Sequence, residues 1–431
     1  MREPKTSRRA FVRQSALTAT VAAAAPFHLA THAHAHAGGN ETLRVGLVGC
    51  GGRGTGAASQ ALAADPGVKL VAMADAFQDR LDRSLQELRN GSPHKDRIDV
   101  PKDRQFTGFD AYKHVIDQVD VVLLTTPPHF RPTHLAYAVE KGIHAFVEKP
   151  VATDAPGVRA VIKACDDAKA KNLSIVGGLC WRYHDPRRET MKRVADGAIG
   201  DVVAVETVYN SGGVWEPRAT REQCGSDMEY QMRNWYYYAW LSGDHIVEQA
   251  VHGIDTMAWA LGDRPPIQCW GTGGRQERID PKYGNIYDHF AIVYEYPDNV
   301  RGYHHCRHWS GEDVAQKTKD TVLGSKGSCD VFGHKISGAT SWRYRGPNND
   351  MYQAEHDALF ASIRASKPIN DGLFLTRSSL LALMGRMAAY TGEVITWEMA
   401  LNSKESLAPS SYTWGDAPDR PVPRPGTTKF A

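Results

Sequence analysis

The chain is predicted to be an α/β protein in two parts: a parallel sheet covered by helices on both faces, then a mostly antiparallel sheet covered on one face. Three observations carry that prediction. From residue 43 to about residue 178, short apolar runs alternate with helical patterns and show no in-and-out alternation, as strands buried on both faces do. After Cys180 the strands lengthen and alternate with period two, as strands with one wet face do. The 431 residues, 42% hydrophobic and 23% charged, suffice for two packed cores, which excludes disorder, collagen and a small disulfide scaffold.

In chain order, the runs 44–48, 68–74, 119–124, 143–147 and 173–176 are the expected parallel strands, and 55–64, 78–89 and 158–169 read as helices between them. The stretches 201–209, 289–296 and 300–308 are the expected antiparallel strands. Two helical patterns follow at 351–365 and 376–390, and the proline-rich end, 408–431, is expected to run extended over the surface. No internal repeat is present.

The first 37 residues read as an address. They hold Ser7-Arg8-Arg9-Ala10-Phe11, an Ala/Thr/Val-rich run over 16–25, and a small-residue end at Ala33-His34-Ala35-His36-Ala37. The twin arginine followed by Phe11 resembles a Tat export signal, so a periplasmic or secreted protein is expected. This leader carries five bases and one acid, so the overall charge of +2 leaves the rest of the chain near −2. Such a surface has no electrostatic footprint for nucleic acid or an anionic membrane. No other stretch approaches the ~20 apolar residues of a membrane span, so a soluble mature protein with a small neutral or polar ligand is expected. Seven cysteines stand singly with no CxxC pair, which excludes zinc-ribbon and redox-motif readings.

The first chemical signal is Val45-Gly46-Leu47-Val48-Gly49-Cys50-Gly51-Gly52-Arg53-Gly54, a strand running into a glycine-rich turn and a helix. Gly49, Gly51 and Gly54 form GxGxxG, which gives a tight turn, room for a pyrophosphate and close helix–strand packing. Asp75 ends the second strand, where a carboxylate meets the ribose hydroxyls and repels a 2′-phosphate, favouring NAD over NADP. Gly52 belongs to the same turn, and Arg53 and Arg80 are candidate phosphate contacts. The second signal is Glu148-Lys149-Pro150 at the end of a buried strand, the edge of a parallel sheet where ligands bind.

With Thr126-Pro127-Pro128 followed by His134, and Glu248-Gln249-Ala250-Val251-His252-Gly253-Ile254-Asp255, these residues resemble the glucose-fructose oxidoreductase, inositol dehydrogenase and rhizopine catabolism (Gfo/Idh/MocA) family. The resemblance covers nearly all of the chain after the leader. Pro128 replaces the family's usual Asn, and Glu248 its usual Asp. It implies an NAD(P)-binding Rossmann domain over 41–180, a substrate-binding and oligomerisation α/β domain with a large open sheet over 181–400, and an extended tail over 401–431. It further implies hydride transfer at a carbinol carbon of a sugar, polyol or glycoside in a homodimer or homotetramer. Thr126, Pro127, His134, Glu148 and Lys149 would lie along the cofactor.

Alcohol oxidation needs a base within reach of the hydroxyl and a cation for the developing alkoxide. His252 is the expected base, Lys149 the cation or proton acceptor, and Glu248, one helical turn before His252, its orienting carboxylate. Because His245, Glu248 and His252 share the spacing i, i+3, i+7, they could hold a metal on one helical face; with no fourth ligand evident, none is expected. The aromatic segment 227–240 fits either sugar stacking or a packed core, with Arg233, Asn234 or Trp235 expected to reach the pocket. Arg182, Tyr183, Asp244 and His245 are further candidate substrate contacts. Export implies a retained, recycled cofactor. An oxidoreductase is the expected activity. An NAD-dependent redox-neutral glycoside hydrolase is one alternative, requiring an extra C–H base from among His245, Asp244, Tyr183 and His252. A non-catalytic sugar- or nucleotide-binding protein is another.

Overall fold

A computed structural model describes residues 42–311, 314, 315 and 317–431. The expected leader, 1–37, lies outside the described residues.

The first sheet consists of β1 (Leu43–Val48), β2 (Val68–Asp75), β3 (Gln105–Thr107), β4 (Val121–Leu124), β5 (His144–Val147) and β6 (Ile175–Gly177). Its order is β3-β2-β1-β4-β5-β6, and every pairing is parallel. The order reverses on either side of β1, so the crevice at the strand C-termini opens beside the glycine-rich turn. The core residues of β1 and β4 are buried on both faces, which explains their lack of alternation. The short β3, with no apolar run, is not legible in the sequence.

Helices α1 (Gly52–Ala64), α2 (Gln78–Gly91), α3 (Ala111–Ile116), α4 (Arg131–Glu140) and α5 (Ala155–Ala170) cover this sheet. Helix α5 starts where the Asp154 carboxylate accepts from the Gly157 amide at 2.8 Å, an N-cap that satisfies one orphan donor of the first turn.

The second sheet has nine strands: β7 (Val202–Ser211), β8 (Gln268–Gly274), β9 (His289–Glu295), β10 (Arg301–His308), β11 (Lys317–Gly324), β12 (Gly327–Asp330), β13 (Lys335–Gly338), β14 (Trp342–Arg343) and β15 (Ile395–Thr396). It runs β14-β13-β12-β11-β7-β10-β9-β8-β15, antiparallel except for β7 against β10. Along β10, His304, Cys306 and His308 point inward and are buried, while Tyr303 and His305 are exposed on the other face. That is the period-two pattern read from the sequence.

After β6 come α6 (Asp185–Ala195), the short α7 (Asp227–Arg233), α8 (Ala239–Ser242) and α9 (His245–Glu248), then α10 (Val251–Ala260), α11 (Met351–Arg364), α12 (Gly372–Thr391) and α13 (Trp397–Asn402); α9, α10 and α12 cover the inner face of the second sheet, whereas α11 returns to pack on α1 and β6 of the first. Helix α12 is buried nearly all round and packs against β8, α5 and α10, so one core runs from the first sheet into the second. No described helix is long and apolar enough to cross a membrane. Beyond α13, which runs two residues into the expected tail, residues 403–431 have no helix or strand.

Candidate active site

The strand ends of the first sheet open into a cavity of about 480 Å³, lined from Gly49 at one extreme to His252 at the other. Its nucleotide half is made by the turn between β1 and α1. Gly49 has φ +100°, and a Cβ there would meet the Thr126 amide nitrogen at 2.5 Å. A Cβ on Gly54 would overlap the Gly49 carbonyl oxygen and lie 2.6 Å from Thr125 Oγ1. A Cβ on Gly51 or Gly52 would meet nothing within 4 Å, because these two face open space at the helix N-terminus. The three roles of the motif are therefore distributed as a dinucleotide requires: turn, approach and packing.

Asp75 accepts from the Cys50 amide at 2.6 Å and the Phe77 amide at 3.0 Å, tying the turn to the end of β2. Burial raises its carboxyl above the ordinary range in spite of those donors. His134 stacks on Tyr112 at 4.1 Å and meets the Thr126 hydroxyl at 3.5 Å; burial, with His129 and Arg131 nearby, lowers its ring to about 3. It is therefore an uncharged wall at neutral pH. Pro127 also lines the cavity.

The reacting half begins at the end of β5. Glu148 is buried against Gly178, where a Cβ would come within 2.7 Å of its carboxyl carbon. Burial alone would raise Glu148, but Arg53, Arg131 and Lys149 outweigh it and hold the carboxyl below its ordinary value. Next to it, Lys149 Nζ donates to the Glu248 carbonyl at 2.6 Å and its carboxylate at 3.3 Å, with both side chains largely buried. The other Glu248 oxygen accepts from Gln249 at 2.6 Å, and Gln249 in turn accepts from the Tyr209 hydroxyl at 3.2 Å. His252 reaches the cavity from α10. Burial, then the Lys149 and Arg187 charges, press its imidazole well below the ordinary value, so it too is uncharged at neutral pH.

Several expectations need correction. Arg53 lines the cavity but is no free phosphate ligand: it donates to Glu148 at 2.5 Å, Glu355 at 2.6 Å and Gln60 at 2.7 Å, so its charge is spent on buried carboxylates. Glu248 does not orient His252: its carboxylate accepts from Lys149 and Gln249, and among the described residues no hydrogen bond joins it to the imidazole. The segment is not one helix either, because α9 ends at Glu248 and α10 begins at Val251, so His245, Glu248 and His252 share no face. Among the described residues no three His, Cys, Asp or Glu side chains gather as metal ligands.

Four candidate substrate residues are drawn away from the cavity. Arg182 donates to Asp255 at 2.8 Å and Asp263 at 2.6 Å. The Tyr183 hydroxyl donates to Asp371 at 2.7 Å. Asp244 is fully buried, accepting from the Tyr287 amide at 2.7 Å and from the Tyr390 hydroxyl, and burial pushes it up to about 7. His245 accepts or donates at 2.8 Å with Tyr236 and stacks on His308 at 4.5 Å. Each satisfies a buried polar partner, which a one-dimensional pattern does not reveal.

The aromatic segment divides. Arg233 and Trp235 line the cavity, but Arg233 is bound to Glu229 at 2.8 Å and to Asp79 of α2 at 3.2 Å. Asn234 is buried and accepts from the Arg218 amide at 2.7 Å, while Tyr236, Tyr237 and Trp240 form core. Residues the sequence did not single out complete the wall: Arg131, Tyr209, Trp215, Arg218 and Gln249. Arg131 is buried, donates to the Pro150 carbonyl at 2.5 Å, and is lowered by that burial to about 10. No local pattern marks these positions, because they come from elements that meet only in the fold. Over the outer rim, Trp414 of the tail packs on Phe109 at 4.7 Å and on Phe77 at 5.3 Å.

Residues 43–176 match the GFO/IDH/MocA oxidoreductase family, NAD-binding Rossmann fold, and residues 188–330 match the GFO/IDH/MocA C-terminal domain. A glycosyl hydrolase family 109 protein of Shewanella pealeana is 27% identical over 193 residues, 44% of this chain and 40% of that protein. This chain thus spans well under half the length of that relative. The crystal structure of an aldose-aldose oxidoreductase from Caulobacter crescentus, with glycerol, has a TM-score of 0.63 at 18% identity, covering 83% of this chain and 100% of that one. That of GenD2 from gentamicin A biosynthesis, with NAD, has a TM-score of 0.62 at 16% identity, covering 83% and 96%. Both share the fold.

Proposed function

We propose, from the premise that this chain belongs to the GFO/IDH/MocA oxidoreductase family and carries its NAD-binding Rossmann domain, that it oxidises or reduces a carbinol carbon of a sugar or polyol. The single observation that carries this reading is the convergence of Lys149, Glu248 and His252 on the cavity that the glycine-rich turn opens. NAD, when bound, supplies the hydride acceptor and donor. The residues do the rest. Lys149, anchored on Glu248, places a cation where an alkoxide would develop, and the uncharged His252 accepts the hydroxyl proton. The Asp75 carboxylate suits the two ribose hydroxyls of NAD and repels a 2′-phosphate. Lys149 and His252, both directed at the cavity, argue against a purely binding role.

The hydrolase relative motivates a second reading, redox-neutral glycoside cleavage. It requires one more base for a ring C–H. Of the four candidates, Asp244, His245 and Tyr183 are committed elsewhere, and only His252 lines the cavity. Tyr209 stands there too, but burial pushes its hydroxyl up to about 12. Simple oxidoreduction is therefore favoured.

Retention of the cofactor through repeated turnovers is supported by the enclosure of the nucleotide half. Trp215 and Arg218 come from the stretch after β7, and Trp414 from the tail packs on the two phenylalanines at the rim. Such retention suits an exported enzyme, the location that the leader suggests. A homodimer or homotetramer through the outer face of the second sheet is supported by a cross-strand row, Trp270, Val293 and Tyr303, with Trp270 47% and Tyr303 38% exposed.

The test is to purify the protein without added cofactor, identify any released dinucleotide by mass, and assay free sugars and aryl glycosides. Retained NAD with oxidation of a free sugar supports the proposal. Glycoside cleavage without net NADH would replace it by the second reading, and an inert protein with an empty site would overturn both.

A further inference from the structure

Among the described residues the ring of His252 has no hydrogen-bonded support, and its buried Nδ1 meets no partner there. Glu248 is turned to Lys149 and Gln249. The Thr256 hydroxyl donates to the His252 carbonyl at 3.2 Å, which fixes backbone only. A base that must meet one hydroxyl needs a fixed ring plane, so that plane has to come from packing.

We propose that Trp181 and Arg187 are positioning residues for His252, the indole fixing the plane of the imidazole and the guanidinium fixing the indole. The proposal rests on His252 being the group that meets the carbinol hydroxyl. Trp181, in the turn after β6, lies against the His252 ring at 4.9 Å with 30° between the planes. The Arg187 guanidinium carbon is 3.8 Å from the centre of a Trp181 ring and 4.1 Å from that of Phe332, and those two rings meet edge to face at 5.2 Å and 86°, so the cation sits in the corner of a perpendicular aromatic pair. Arg187 is itself nearly fully buried on α6, with its charge answered by Asp320 of β11 at 3.8 Å. A buried arginine held in that corner has little freedom to move, and the indole is braced by the guanidinium and by the edge-to-face contact with Phe332.

The arrangement has an electrostatic consequence. The charged groups bearing on the imidazole are Lys149 from the end of β5 and Arg187 from α6, both cations, with Glu248 already bound to Lys149. Both disfavour the imidazolium, so the platform holds the ring in place and keeps it uncharged at once. With Nδ1 enclosed, Nε2 is the nitrogen left to meet substrate. Sequence spacing alone shows none of this: Trp181 and Arg187 are separated by a turn and a helix start, and their partners His252, Asp320 and Phe332 lie far along the chain, His252 71 positions after Trp181 (252 − 181) and Phe332 145 after Arg187 (332 − 187).

The experiment uses the full chain with NAD and four variants: Trp181→Leu, Trp181→Phe, Arg187→Met and Arg187→Lys. Ring-nitrogen NMR of His252, assigned through its loss in His252→Gln, reports tautomer and titration independently of turnover. Trp181→Leu and Arg187→Met are expected to lower kcat about 10- to 100-fold with little change in KM or NAD retention, the scale of a misplaced reacting group. Trp181→Phe, which keeps an aromatic face, should restore most of the rate. Arg187→Met should also raise the pH at which the His252 ring protonates, whereas Arg187→Lys should not. Unchanged kcat and unchanged ring resonances in Trp181→Leu and Arg187→Met would overturn the proposal. If one of those two fails to fold, the other decides it by the same rate and the same resonances. Absence of any sugar turnover in the unmodified protein would instead sink the functional reading, while the His252 resonances would still report on the platform.

Discussion

Around residues 49–54 the cavity wall is backbone, whereas around Lys149, Glu248 and His252 it is side chain. The first is made by a continuous strand, turn and helix, in which Gly49 and Gly54 leave no room for a Cβ and Gly51 leaves room for a ligand. The second joins the end of β5, the two short helices α9 and α10, and β7, brought together across 99 positions at the Lys149–Glu248 pair alone. Backbone walls tolerate a change of neighbouring side chain; side-chain walls fail when one partner goes. The difference teaches that the nucleotide site and the reacting groups should be separable by mutation.

Lys149→Ala is the strongest attempt to break that separation. It removes the cation at the reacting half and should cut turnover by about 10²–10³-fold, the cost of losing one stabilising donor of a developing oxyanion. NAD content after purification should stay at the wild-type level, because the glycine turn is untouched. Loss of the dinucleotide together with turnover would show that the two halves are one unit.

Gly54→Ala makes the converse cut. The added methyl would overlap the Gly49 carbonyl and crowd Thr125, and forced overpacking of this kind costs about 1–3 kcal/mol. Nucleotide retention should fall, measured by mass analysis of the released cofactor, and thermal unfolding should shift downward. Retained NAD with normal stability would mean that the turn can relax and that its glycine is not required for packing.

Acid sharpens the comparison most gently. His134 in the nucleotide half, and His304 and His308 in the second sheet, are each lowered to about 3 by burial. A depressed folded value means stability is present above the ordinary histidine range and lost as pH falls towards 3, because the unfolded chain binds the proton first. Each ring contributes a slope of up to about 1.4 kcal/mol per pH unit. Denaturant midpoints between pH 7 and pH 4 should therefore fall, and His134→Gln should flatten the curve by one proton. No change of slope in that variant would remove His134 from the account.

Most of the architecture was legible from rhythm: five of the six strands of the first sheet, the strands β7, β9 and β10 of the second, and both late helices lie where periodicity puts them. The strand β3 was not, having no apolar run, nor were β8 and β11, whose polar and glycine-rich sequences show no clean alternation, nor the strands β12 to β15, which are too short to carry a period. At the site, the glycines, Asp75, Thr126, His134, Glu148, Lys149, Glu248 and His252 all reach the cavity, each sitting at a strand end or in a motif with fixed offsets. Arg182, Tyr183, Asp244 and His245 do not, although their residue types were chemically suitable.

The reason is the range of the force involved. Whether a turn needs glycine is decided within a few residues by steric exclusion, so the amino-acid sequence by itself determined the dinucleotide turn and the strands that present it. Which carboxylate a buried arginine meets is decided by packing. Arg53 was drawn to Glu355, 302 positions away, and to Glu148, 95 away, since a buried charge is stable only where a distant element supplies its partner. Tertiary structure alone therefore decided which polar residues were consumed as mutual partners and which were left facing the cavity.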